Sequence, residues 1–193
     1  PKRVVVDSDG KYLSPCTSAG DTNHSTPDAY KYWSSIFDAL SDKILQPYVG
    51  NKINKKVIPF LYYAMNNNVF DLNRQSKKFE LIYIGNNWYR WPDIVWLAKI
   101  INPIRSRLKR VALVGQYWSG KAMPGFEEAT YSNPDYLLKN KIEVYESVPF
   151  GQVEVSMSQG LLNPILVRPI LNYLEFITPR MFETLSADTV PLI

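Results

Sequence analysis

The chain is poor in the side chains that most often build metal and redox centres. Its one cysteine, Cys16, excludes an internal disulfide and a cysteine-cluster metal site. Its one histidine, His24, lies in a polar loop with no evident orienting partner, so a surface role is expected ahead of a catalytic base. No run of about 18 apolar residues occurs, so no transmembrane helix is expected. The first residues, PKRVVVDSDG, lack the long apolar stretch of a secretory signal. They also lack an initiator methionine, from which processing or truncation is expected. A reducing, cytoplasmic setting fits this pattern, with peripheral contact to a membrane still open.

The 193 residues carry a formal net charge of +4 and are 46% hydrophobic, enough for a real core. A mildly basic balance suits a phosphate-bearing ligand, an anionic membrane or nucleic acid without choosing among them. The densest basic groups are NKINKK at 51–56 and RSRLKR at 105–110, each read first as a solvated face. No nucleic-acid motif accompanies them, and no nucleic-acid partner is expected.

Strand-like and helix-like stretches alternate, which predicts an α/β fold. RVVVDSD at 3–9 reads as a short buried strand, and PDAYKYWSSIFDAL at 27–40 as a helix with proline near its start. DKILQPYV and KKVIPFLYYA read as short strands interrupted by prolines, and NNNVFDLNRQSKK at 66–78 as a linker. A second series follows. FELIYIGNN at 79–87 is a strand ending in a Gly-Asn turn, and WPDIVWLAKII at 91–101 a helix stopped by Pro103. RVALVGQYW at 110–118 and KIEVYESVPFG at 141–151 are further strands. Strands closed by glycine at their carboxyl ends are where open α/β sheets bind ligands.

Two motifs point elsewhere. GQYWSGKA at 115–122 nearly matches the P-loop, but Ala122 stands where a hydroxyl should hold magnesium, and Pro124 and Gly125 discourage the helix that must follow. VVVDSDG at 4–10 resembles the nucleophile motif of haloacid-dehalogenase-type phosphatases, with Asp7 as nucleophile, or a metal-binding Asp-x-Asp. Lys11 replaces the usual threonine and no later acidic pair stands in the right setting. The expectation is a turn stabilised by aspartate side chains, with no metal assigned to Asp7 and Asp9.

The last sixteen residues, TPRMFETLSADTVPLI, read as a helix start, a helix and a strand. Thr178 is a good N-cap and Pro179 suits the first helical position. The free N–H groups and positive dipole end of such a start favour phosphate, and Arg180 adds a charge able to bind it in bidentate fashion. Glu183 shares a face with Arg180 and is suited to accept both hydroxyls of a ribose. Phe182 and Leu185 are expected to pack on the sheet. Arg168 is a further, weaker phosphate candidate, and the aromatics of NNWYRW could stack on a base or sugar, though packing is the commoner role.

Glu175 and Glu183 complete an E-x7-E spacing, EFITPRMFE. With its flanks this segment resembles the donor-site motif of GT-B type nucleotide-sugar glycosyltransferases, built from two Rossmann-like domains. Asp188 replaces the small glycine usual before the final strand. LIYIGNNWYRW and VALVGQYW make the chain most similar to the CgeB-like (spore-maturation type) glycosyltransferases, over about residues 79–193. The resemblance implies the tail of an acceptor-side α/β domain at 1–58, a crossing segment at 59–78, and an incomplete Rossmann-like donor domain at 79–193, from a fragment or shortened relative. It implies a nucleoside diphosphate sugar as donor substrate, no separate cofactor and no required metal. The acceptor, whether glycan, lipid or protein, stays open. Implied donor contacts are Gly85, Asn86, Arg90, Thr178, Arg180 and Glu183, with Glu175 at the sugar and Glu175 and Arg180 as catalytic candidates. A non-catalytic nucleotide-binding module remains the alternative, followed by the phosphatase.

Overall fold

The structure, a computed structural model, describes residues 2–8, 10–13, 27–47, 56–60 and 76–193. It is an α/β protein whose strands all pair in parallel. The chain divides into two compact units: Pro1–Tyr63 with Val167–Pro179, and Ala64–Leu166 with Arg180–Ile193. The second domain expected from the sequence runs unbroken from 79 to 193, whereas in the structure 167–179 groups with the first unit. His24, Cys16, Asp9 and most of the expected linker lie outside the described residues.

In the first unit, β1 (Val4–Val6), β2 (Lys43–Gln46) and β3 (Val57–Pro59) form a sheet in that order, with α1 (Pro27–Leu40) between the first two strands in sequence. Val4 and Val6 are more than half exposed, so β1 is not the buried strand expected. The β-branched run specifies an extended backbone here without burying it. Asp7, at the end of β1, is 4% exposed. Its carboxylate accepts hydrogen bonds from the Lys11 and Tyr12 amides at 3.0 and 2.8 Å and from Gln46 Nε2 at 2.7 Å. These three bonds hold it as the clasp of a strand-end turn. The α5 helix (Pro169–Tyr173) joins this unit through Leu171, Leu174 and Phe176, which bury together with Val167 against them. Gly10, at φ +69°, approaches Leu174 and Phe176 so closely that a Cβ would lie 2.5 Å from Leu174 Cδ1.

In the second unit, β4 (Phe79–Ile84), β5 (Val111–Val114), β6 (Ile142–Tyr145), β7 (Gly160–Pro164) and β8 (Val190–Leu192) form a five-stranded sheet ordered β6-β5-β4-β7-β8. Counted from β4 within this unit, the order is 3-2-1-4-5, which matches the first five strands of the Rossmann order 3-2-1-4-5-6. Side chains alternate across the strands. Leu81, Tyr83, Val111 and Leu113 form one core with Ile94, Leu97 and Ala98 of α2 (Trp91–Ile101) and Leu137 of α3 (Pro134–Lys139). Ile82, Ile84, Ala112 and Val114 form a second core with Met157 of α4 (Val153–Met157) and with Ala187, just after α6 (Pro179–Ser186). Helical material therefore covers both faces, as a parallel sheet requires.

The strand β7 has no counterpart in the sequence reading. Asn163 and Pro164 interrupt its apolar run, and proline normally argues against an interior strand. Here Pro164 is the last residue of the strand. The next amide, that of Ile165, donates to Leu192 of β8 at 2.8 Å and carries the ladder past it.

Candidate functional site at the strand-order reversal

The strand order reverses between β4 and β7, so the loops after these two strands flank the crevice where open α/β sheets take ligands. The loop after β4 supplies Gly85, Asn86 and Arg90. Arg90 Nε donates to the Leu166 carbonyl beyond β7 at 3.2 Å, and its Nη1 donates to the Asn86 carbonyl at 2.9 Å. One guanidinium thus spans the reversal. Its Nη2 makes no hydrogen bond among the described residues and remains a donor at the crevice.

Two glycines let the loops approach. A Cβ on Gly85 would stand 2.5 Å from the Tyr83 hydroxyl, and one on Gly115, at φ +148°, would stand 2.4 Å from the Gly85 carbonyl oxygen. Around them, Asn86 Oδ1 accepts from the Gln116 amide at 2.9 Å, and Trp118 Nε1 donates to the Gly85 carbonyl at 2.8 Å. Asn87, fully buried, donates from Nδ2 to the Tyr117 and Tyr131 carbonyls. The near-P-loop at 115–122 is thereby a strand-end loop pinned to its neighbour. No helix follows it until α3.

Arg180 and Glu183, both on α6, meet at 2.8 Å as an ion pair with side chains 24% and 15% exposed. Instead of lying open to separate groups, the two charges face each other, because the i,i+3 spacing that puts them on one face also puts them in reach. The contact is out of hydrogen-bonding alignment, so Arg180 Nη1 and Glu183 Oε2 stay buried without a hydrogen-bond partner. Burial pushes the Glu183 carboxyl above its usual range; Arg180 offsets part of this and Glu154 adds to it. The buried Tyr83 hydroxyl is raised chiefly by burial, while both Arg90 and Arg180 act to lower it. Both arginines thus act on the Tyr83 hydroxyl at electrostatic range, short of offsetting its burial. Asp93, in the first turn of α2, is raised by burial and partly offset by Arg90.

Other expected contributors behave differently. Thr178 belongs to the first unit, and its Oγ1 is buried with no hydrogen bond, so the expected capping bond is not formed. Glu175, also of the first unit, is exposed and sits at φ 56°. The Phe176 amide donates to Leu171 and the Glu175 amide to Asn172, which makes Glu175 the left-handed residue of a Schellman motif ending α5. Arg168 opens that same segment. Asp188 plays the equivalent part after α6: φ is 53°, its amide donates to Leu185 and the Thr189 amide to Thr184. The glycine expected there is thus replaced by a residue that tolerates the left-handed region.

Leu185, expected to pack on the sheet, is 53% exposed, and Thr184 and Ala187 take the buried positions. The NNWYRW aromatics pack among themselves and on loop residues: Trp88 against Tyr89 and Phe126, and Trp91 against Tyr131 and Tyr136. Tyr83, Asn87 and Asp93 join the site without having stood out in the sequence. A polar Asn directly after the Gly-Asn turn and an acid in the first turn of a helix were the available signals. Nothing in a strand pattern separates Tyr83 from a core residue.

No group of three or more His, Cys, Asp or Glu side chains among the described residues is placed to hold a metal ion. No helix among them is long and apolar enough to cross a membrane. The sequence matches no protein-family model and no curated protein.

Proposed function

We propose that the reversal point of the five-stranded sheet binds the diphosphate of a nucleotide sugar, and that the protein transfers the sugar to an acceptor as a GT-B type, CgeB-like glycosyltransferase would. One observation carries the reading. α6 leads into β8, so its first turn lies toward the carboxyl edge of the parallel sheet, and there Arg180, 24% exposed, is held by Glu183 at 2.8 Å. A guanidinium fixed at that edge is a charge that a diphosphate can engage in bidentate fashion. Arg90 and Arg180 would stabilise the negative charge growing on the departing diphosphate as its bond to the sugar breaks. Glu183 would turn from Arg180 to the ribose.

Calorimetric titration with a nucleoside diphosphate and with inorganic pyrophosphate tests the reading. Arg180→Ala should weaken both ligands, whereas Glu183→Gln should weaken only the nucleoside form, by at most about 1.5–3 kcal/mol. Two folded variants that bind every nucleotide like the parent would remove the proposal. Binding without sugar transfer or donor hydrolysis would leave the protein a nucleotide-binding module.

A further inference from the structure

The opposite edge of the same sheet carries a second charged feature. The chain runs from the C-terminal end of α2 through residues 102–110 into β5, and from that of α3 through residues 140–141 into β6, so both ends lie toward the amino edge, away from Gly85 and Asn86. Between them is a cavity of about 620 Å³ whose lining includes Arg105, Lys109, Lys139 and Lys141, with Asn102 and Ser106 as neutral donors and no carboxylate among the described residues.

Part of this charge has a structural purpose. Arg105 donates from Nε to the Asn140 carbonyl at 3.3 Å and from Nη2 to the Lys141 carbonyl at 2.6 Å, closing the end of α3. Lys139, in the last turn of α3, complements the helix dipole. Neither purpose accounts for the whole group, because Lys109, Lys139 and Lys141 have no ion pair among the described residues. Glu143, whose carboxylate feels Arg105, is already held by Arg110 through bonds of 2.9 and 2.6 Å. Like charges drawn around one concavity repel one another, and an anion seated there relieves all of them together. The chain between Asp93 and Glu127 contains no acidic residue. Lys109 and Lys141 also line an adjoining cavity with Glu143, which Arg110 holds, and Glu146, but neither carboxylate lines this one.

We propose that this amino-edge cavity binds a compact polyanion bearing two or more phosphate charges. Its volume lies in the range of small-molecule sites rather than that of a groove following a polymer. Lysine ammonium groups suit phosphate as point charges free to adjust to it. The phosphates belong either to a soluble metabolite or to a phospholipid headgroup; their chemistry at the cavity is the same. The inference does not rest on the carboxyl-edge reading.

The test uses the full chain carrying Arg90→Gln, which weakens the other site, titrated calorimetrically with inorganic pyrophosphate at low salt. Binding should persist in that variant and fall at least tenfold when Lys109→Gln and Lys141→Gln are added. These lysines are exposed, and an unchanged melting temperature without ligand verifies the fold. A second arm measures co-sedimentation with phosphatidylcholine vesicles containing phosphatidic acid. Lysine-dependent binding to pyrophosphate alone assigns a soluble ligand, and lysine-dependent binding to the vesicles assigns a headgroup. An Arg90→Gln chain that binds neither probe, or binds them regardless of the two lysines, overturns the proposal. Nucleoside diphosphate binding that follows Arg90 and ignores the lysines reports on the carboxyl edge alone.

Discussion

Arg90 reaches across the point where the sheet's strand order reverses and donates from Nε to the carbonyl oxygen of Leu166, 76 residues away, at 3.2 Å. The same guanidinium holds the Asn86 carbonyl. Arg90→Gln should therefore loosen both loops and remove a phosphate donor together. The expected stability loss is about 1.5 kcal/mol, the low end for hydrogen bonds from a charged group. Urea denaturation gives that figure, and calorimetry on the folded variant should show nucleoside diphosphate affinity reduced about tenfold, a further ~1.4 kcal/mol. A variant as stable as the parent would mean that the bridge adds nothing.

Gly85 and Tyr83 form a steric pair. The Tyr83 ring is buried and set edge-on to Trp118 at 6.0 Å, so it cannot swing away from a new methyl group. Gly85→Ala should cost about 1–3 kcal/mol through overpacking. Tyr83→Phe removes the atom nearest the added Cβ, so the double variant should be less damaged than the two single losses summed. Strict additivity in thermal melts would show that the clash is not the cause.

Glu175 holds a left-handed conformation, φ 56°, that glycine adopts without penalty. Glu175→Gly should raise stability by about 1 kcal/mol, the usual cost of a Cβ in that region. A melting temperature that falls in the glycine variant would contradict the Schellman assignment.

Burial holds the Asp93 carboxyl above its ordinary value, with Arg90 only partly offsetting the effect. The folded state therefore binds this proton more tightly than the unfolded chain. The contribution is most favourable below the ordinary carboxylate range and is lost as pH rises through the raised folded value. Asp93→Asn lacks that loss, so its stability relative to the parent should improve as pH climbs from about 4 and then level off. Paired urea titrations across that range provide the check; a difference independent of pH would refute the assignment.

Several elements follow from short-range pattern alone. The helix over 91–101 coincides with α2 because its apolar residues recur at helical spacing, Pro92 suits the first turn and Pro103 lies beyond the end. The helix over 27–40 coincides with α1, and the cores of β4, β5 and β6 fall inside the expected runs. The glycines closing β4 and β5 are likewise legible; a Cβ would crowd the Tyr83 side chain at Gly85 and the Gly85 backbone at Gly115. Arg180 and Glu183 could be placed on one helical face, because three residues bring two side chains together in any helix. What tertiary structure alone decided is longer in range. β7 carries Asn163 and Pro164 and is a strand because β4 and β8 pair with it. Its insertion beside β4 creates the reversal and sets Arg90 against Leu166, while Tyr83 is buried in the core against Trp118. Local sequence specifies what a segment prefers within a few residues, whereas strand order and the desolvation of a charge arise only when distant segments exclude water from one another.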